Sequence, residues 1–430
     1  MTPLSEAATA LCFGMILLAP LAIAGMALLN AGLGRSRSAA QSMLGSLCVL
    51  AVAAIVYFVF GFAFEGYAGL PQHTVLIAAR PWGWLAAMPF FLRGLPLDGS
   101  PASLAALLQI FGVALAALIP WGSGSDRWIL RAGCLSTALF AGMIYPLFAH
   151  WVWGGGWLAQ LGSNYGLGRG FADAAGAATL QAAGGLTALA IVWIAGPRYG
   201  KFQRGQMPAV FPGHHTVYVL FGCLLSLIGW IGLNGAGSLL FAGIIPGRIV
   251  LVALNTVLCA SGSLLTALFV TKFRFGKPDA SLSANGWLAG LAASSAICAN
   301  VPPAGALLIG LMLGGAIPFL TELLELKCGI DDPTGSISVH AGGGLWGLFA
   351  VGFMGRFGVP AGGQMLAQLA GIATLLGFVL PFAYAFNWLL NRFVPFRAIA
   401  ESEHAGMDMV ELGAGAYPEF MVHTDEFLPR

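Results

Sequence analysis

The feature that most constrains this chain is a succession of eleven apolar runs. They lie at about 8–33, 43–66, 102–122, 128–152, 172–196, 215–235, 249–271, 282–299, 304–326, 336–356 and 365–391. A helix needs about 20 mostly apolar residues to cross roughly 30 Å of hydrocarbon, and each run supplies about that many. The spacing predicts an all-α polytopic membrane protein with eleven transmembrane helices. Composition agrees. Asp, Glu, Lys and Arg are 8 % of the 430 residues and hydrophobic residues 58 %. That is too little charge to cover a soluble globule and too much apolar surface for a disordered chain. The 61 glycines suit close helix contacts. A formal net charge of +2 gives nucleic-acid binding no support. The stretch 74–94 is also apolar, but Arg80, Pro81 and Pro89 interrupt it. It reads as a surface or re-entrant piece of a long loop.

Eleven spans place the termini on opposite sides, and basic residues choose which. One side collects Arg35, Arg37, Arg127, Arg131, Arg198, Lys201, Arg204, Lys272, Arg274, Lys277, Lys327, Arg392, Arg397 and Arg430; the other has Arg80, Arg93, Arg169, Arg248 and Arg356. The richer side is expected to be cytoplasmic, with the N-terminus outside, in the cell (inner) membrane. Met1 to Ala7 carries no basic residue, unlike the start of a cleaved signal peptide, so the first span is expected to be retained. Cys12, Cys48, Cys134, Cys223, Cys259, Cys298 and Cys328 show no metal-ligand spacing. Neither metal nor cofactor is expected.

Two stretches match at a separation of 159 residues. Asp173-Ala-Ala-Gly-Ala-Ala-Thr-Leu-Gln181-Ala-Ala-Gly-Gly-Leu186 opens span five, and Asp332-Pro-Thr-Gly-Ser-Ile-Ser-Val-His340-Ala-Gly-Gly-Gly-Leu345 opens span ten. Their common pattern is D-x-x-G-x-x-[ST]-[LV]-[QH]-A-[AG]-G-G-L. Five spans is an odd number, so the copies enter the bilayer from opposite faces: a five-plus-five inverted repeat, as in many transporters. The halves run about 8–196 and 215–356. The last helix, 365–391, completes a transmembrane domain of 1–396, and 397–430 forms a cytoplasmic tail. Eight residues of helix cover about 12 Å, against about 15 Å for half the hydrocarbon core. Gln181 and His340 therefore both arrive near the midplane. Two polar residues at symmetric depth point to a substrate path. Asp173 and Asp332 sit where an acid caps a helix start, and Asp173 could also bias the outer mouth toward cations. Gly184, Gly185 and Gly342 to Gly344 permit close helix approach.

The remaining signals are weaker. His150 could order the outer mouth near Trp153, whereas His214 and His215 fall at a cytoplasmic loop–helix junction. His73, His404 and His423 lie in loops or the tail. The tail acids Glu401, Glu403, Asp408, Glu411, Glu419, Asp425 and Glu426 read first as a solvated end, and otherwise as a regulatory or linker segment.

Taken together, the motifs resemble the ammonium transporter family, which includes the Mep and Rhesus proteins. They are Gly32-Leu-Gly-Arg35 with Ser42-Met43, His150-Trp-Val-Trp153-Gly-Gly-Gly156, the segment around Asp173, Gly229-Trp-Ile-Gly-Leu-Asn234, Asp331-Asp332-Pro333 with His340, and Glu403-His-Ala-Gly-Met-Asp408. The resemblance implies a homotrimer with one pore per subunit. It implies an outer ammonium site on Trp153 by cation–π attraction. Ser238 stands near the family's serine position, displaced by one extra residue. Leu108 and Leu233 stand where the family has two gating Phe rings, and Gln181 and His340 where it has paired histidines. Imidazoles can pass a proton by accepting and donating; Gln cannot titrate. A His-to-His relay is therefore not available in its ordinary form.

Three functions follow as expectations. The first is an ammonium or ammonia transporter in the bilayer. The second is an ammonium sensor with impaired conduction, needing a signalling output partner. The third is a pore for another small solute, such as a small amine. A PII-type regulatory protein is a possible partner at the cytoplasmic face by resemblance. The chain is not expected to be an enzyme, since nucleophile–base pairs and phosphate-binding loops are not evident.

Overall fold

The computed structural model describes residues 4–203 and 205–417. Arg204, Glu419, His423, Asp425, Glu426 and Arg430 lie outside the described residues. Among the described residues, ten helices are long and apolar enough to cross a membrane: α1 Glu6–Leu33, α2 Ser36–Glu65, α3 Pro101–Ser123, α4 Leu130–Val152, α5 Ala177–Ala195, α6 Thr216–Leu240, α7 Pro246–Phe275, α9 Pro303–Leu326, α10 Ile337–Met354 and α11 Ala361–Phe393. Between α7 and α9 lies α8, Ala280–Ile297. It is the most polar of the set, with Ser283, Asn285, Ser294 and Ser295 all buried. It packs against α6, α7, α9 and α10, so protein rather than lipid surrounds it. The eleven expected runs are thus eleven helices. Large apolar side chains such as Leu47, Ile55, Val217, Phe269 and Phe273 point outward, as lipid-facing positions should.

The segment 74–94 forms a surface hairpin. Strands β1 (Gln72–Ile77) and β2 (Arg80–Ala86) pair antiparallel, with a register shift between His73 and Thr74. The turn residues Ala78 and Ala79 have φ of 51° and 62°. Two-residue hairpin turns need this left-handed backbone, which Asn and Gly usually provide. Alanines there hide the hairpin from the sequence. Trp151 Nε1 donates to the Trp84 carbonyl at 2.9 Å and the Trp157 N–H to the Gly83 carbonyl at 2.9 Å. These bonds fasten the hairpin over the end of α4.

At the centre, α5 and α10 cross as an inverted pair. Each begins with one π-helical turn, Ala177–Ala182 and Ile337–Gly342. The contact is symmetric to the residue. Gly185 meets the backbone of Ala341, and Gly344 meets that of Ala182; each glycine lies four positions beyond the polar residue of its own copy. A Cβ at either would intrude on the other helix, which is why glycine is required there.

The described part of the tail, to residue 417, differs from the solvated end expected of it, although Glu401 is exposed. Helices α12 (Ala400–Ala405) and α13 (Met407–Leu412) dock on the face opposite the hairpin. Glu403 and Asp408 are buried. Asp408 accepts the N–H groups of Ala40 and Gln41 at 3.1 and 2.7 Å. Glu411 accepts the Leu130 N–H at 2.9 Å. The tail thereby caps the starts of α2 and α4, whose free N–H groups favour carboxylates.

Beside the tail lies a buried ionic cluster. Arg198 donates to Asp331 at 2.8 Å and to Asp126 at 3.0 Å, and Arg127 donates to the Asp331 carbonyl at 2.7 Å. Burial by itself would push the Asp331 carboxyl up, but the Arg198 bonds and the charges of Arg127 and Arg198 hold it down at about 2.

Candidate transport pathway

Trp153 ends α4. The glycines after it turn the chain back sharply: a Cβ at Gly154 would strike the Glu65 carbonyl and the His150 ring, and Gly155 has φ of 84°. His150 Nδ1 lies 2.7 Å from the Glu65 carbonyl. A carbonyl only accepts, so Nδ1 carries the hydrogen and His150 braces the mouth. Trp153 Nε1 donates to the Asp173 carbonyl at 2.7 Å. This bond ties the Trp to the start of the first half-helix.

Asp173 has its carboxylate committed to that start. It accepts the N–H groups of Gly176, Ala177, Ala178 and Thr179 at 2.8 to 3.0 Å, and the Thr179 hydroxyl at 3.1 Å. Gly176, at φ 107°, provides the left-handed residue this cap needs. Residues 172–176, expected as helix, therefore form the cap.

A cavity of about 210 Å³ opens at this end, lined by Trp153, Arg169, Asp173, Phe241, Asn300 and Phe357 among others. Its floor is a parallel stack of Trp153 on Phe241, with centroids 4.2 Å apart and planes at 7°. Beneath the stack is a second space of about 10 Å³, lined by Leu108, Leu233, Gln109, Gly112, Leu180 and the two stacked rings. That is room for about one water-sized molecule. Leu108 and Leu233 thus meet in one wall below Trp153. Ser238 lines neither cavity; it is buried, with Oγ 3.5 Å from Cys298 Sγ.

Leu180 leads to the midplane pair. Gln181 and His340 are both buried, and Gln181 Oε1 lies 2.7 Å from His340 Nδ1. The amide oxygen accepts, so His340 Nδ1 holds the hydrogen and Nε2 keeps a lone pair. Gln181 Nε2 is buried and finds no partner among the described residues. The pair offers one free donor and one free acceptor. Among the described residues no cluster of His, Cys, Asp and Glu could hold a metal.

Several residues of this region escaped the sequence reading, Phe241 and Glu65 among them. Phe241 follows the last residue of α6, and nothing in its neighbours marks it as facing Trp153. Glu65 did carry a signal: it is an acid at the end of the apolar run 43–66, and intramembrane acids are rarely idle.

The ammonium transporter family model matches residues 8–417. The chain is 35 % identical over 428 residues to ammonium transporter Amt2 of Archaeoglobus fulgidus, covering 94 % of this chain and 87 % of the relative. It is 32 % identical to an ammonium transporter Amt2 of Haloferax mediterranei, covering 92 % and 87 %. Among solved structures, a sensor Amt protein superposes with a TM-score of 0.85 at 26 % identity, covering 94 % and 98 %. Mep2 of Candida albicans shares the fold at a TM-score of 0.79 and 23 % identity, covering 97 % and 91 %. With this match along the whole motif-bearing length, the chain belongs to the ammonium transporter family.

Proposed function

We propose that the protein moves ammonium or ammonia across a membrane through a path within each chain. The cation is recruited beside Trp153 and Asp173, with Ser238 at the end of α6 close by. It passes the Trp153–Phe241 stack and the Leu108–Leu233 wall, and crosses the midplane at Gln181 and His340. The observation that carries this reading is the Gln181–His340 hydrogen bond at the crossing of the two half-helices. A free N–H and a free lone pair there complement neutral ammonia, which has one lone pair and N–H groups; ammonium has no lone pair to receive the Gln181 N–H. Gln181 cannot pass a proton, so the proton and the ammonia need not take one route.

The assembly we propose is a homotrimer in the cell membrane, N-terminus outside and tail inside. Residues 1–396 form the transmembrane domain and 397–430 the cytoplasmic tail, where a PII-type protein or a signalling output partner would dock. The proposed activity is transport, with no covalent chemistry. Ammonium pulses on purified protein in a solid-supported membrane test it. Current from wild type is expected, with near loss in His340→Ala. Gln181→His should raise charge-coupled flux several-fold by restoring a titratable pair. No flux of ammonium or methylammonium from folded protein overturns the reading. Saturable ammonium binding without flux would establish a sensor in its place.

A further inference from the structure

Glu65 is a buried carboxyl with no ion-pair partner among the described residues. It is 1 % exposed, and none of the ion pairs among the described residues includes it. Oε2 accepts the Tyr57 hydroxyl at 2.7 Å, and Oε1 accepts Gln109 Nε2 at 2.5 Å. The other buried acids are provided for differently. Asp126 and Asp331 face guanidiniums, and Asp173 faces a row of backbone N–H groups at a helix start. A buried charge with only neutral donors is costly unless a counter-charge comes near.

The path supplies a place for one. Gln109 separates Glu65 from the small space beneath the Trp153–Phe241 stack and forms part of its wall. With Nε2 turned to Glu65, the amide oxygen is turned away from it, where it accepts the Tyr145 hydroxyl at 2.7 Å. Gly112, in the same wall, leaves that oxygen uncovered: a Cβ there would come within 3.1 Å of it. Donation to a carboxylate polarises an amide and makes its oxygen a better acceptor. A negative charge on Glu65 would in this way be expressed at the cavity through Gln109.

We propose that Glu65 and Gln109 form a cation-positioning device that holds the substrate as ammonium in the space below the aromatic stack, with Glu65 as its counter-charge. The inference rests on the reading of this path as the ammonium route. It places the charged species one station deeper than Trp153, ahead of the Gln181–His340 pair. Glu65 acts through Gln109 and is a positioning residue.

Two responses to ammonium test this on the full chain: the rise of the thermal unfolding midpoint in detergent, and current in a solid-supported membrane. Melting without ammonium reports folding. Glu65→Gln should raise the half-saturating ammonium concentration at least tenfold in both, with maximal current within threefold of wild type. Glu65→Asp, which keeps the charge, should stay within threefold of wild type in half-saturation. Gln109→Leu should reproduce the tenfold rise, and it carries the test alone if Glu65→Gln does not fold. Wild-type half-saturation in Glu65→Gln or Gln109→Leu overturns the proposal, as does a Glu65→Asp variant as impaired as Glu65→Gln. Wild type that binds but carries no current defeats the transport reading while leaving the Glu65 comparison readable in the melting data. Wild type with neither response overturns both.

Discussion

The two copies of the D-x-x-G motif begin alike and are held differently. Asp173 takes four backbone N–H groups and the Thr179 hydroxyl of its own segment. Asp332 takes one backbone N–H, from Ile337 at 2.7 Å, and a long bond from the Thr334 hydroxyl at 3.4 Å, and reaches across to the Ser123 hydroxyl at 2.9 Å. Ser338, the counterpart of Thr179, bonds to the Gly335 carbonyl and Thr321 instead. The Asp173 carboxylate at the Trp153 mouth is therefore satisfied within its own segment. The copy at the tail face is knitted into its neighbours, next to Asp331 and its arginines. The same local pattern can be closed by its own backbone or by tertiary partners. The former keeps the Asp173 carboxylate within its own segment, and the latter ties the start of α10 to Ser123 at the end of α3.

The largest expected effect breaks this contrast at the Trp153 side. Asp173→Ala leaves several buried N–H groups without acceptors, at about 1–3 kcal/mol for each left unsatisfied. We expect a loss of about 3 kcal/mol or more, read as a thermal midpoint in detergent, with Asp332→Ala costing about half as much. Equal losses would mean the two caps are equivalent.

Acid should act on the other copy next. Asp331 is held at about 2 by its arginines, below the roughly 3.9 of an unfolded aspartate. Its contribution is complete above pH ~4 and is lost as pH falls toward about 2, amounting to about 2 kcal/mol. Unfolding midpoints measured along that acid limb should fall in wild type and flatten in Asp331→Asn. A limb unchanged in the variant would assign it to other carboxylates.

The smallest effect concerns the tail. Asp408→Asn keeps an acceptor but removes the charge at the start of α2, so we expect about 1 kcal/mol or less in the midpoint. Asp408→Ala removes the cap and should cost about 1–2 kcal/mol. No change in Asp408→Ala would show that the docking of α13 rests on Met407 and its packing instead.

Much of the fold is legible in the sequence, because spanning a bilayer imposes length and hydropathy on each helix independently of its neighbours. The eleven helices start and stop within several residues of the apolar runs. The runs fail where a local rule competes with hydropathy. Residues 172–176 are apolar enough for helix, yet Asp173 and Gly176 make a cap of them. Ala78 and Ala79 form a tight turn without turn residues. The candidate path divides in the same way. Gln181 and His340 are legible in the internal repeat, and Trp153, Leu108 and Leu233 in the family resemblance; nothing in their own segments marks Phe241 or Tyr145, and although Gln109 stands out as an amide in the apolar run 102–122, only the structure shows that it faces Glu65.

By itself, then, the sequence determined that the chain crosses a membrane, that it does so as an inverted repeat, and that a Gln and a His arrive at matching depth. Each of these is a property of one segment or of two segments compared. Only the tertiary structure decided that Phe241 covers Trp153, that Glu65 sits behind Gln109 with no ion-pair partner among the described residues, and that tail carboxylates cap α2 and α4. Those are meetings between residues far apart in the chain, fixed by helix crossing and by the need to satisfy every buried polar group, and no local pattern encodes them.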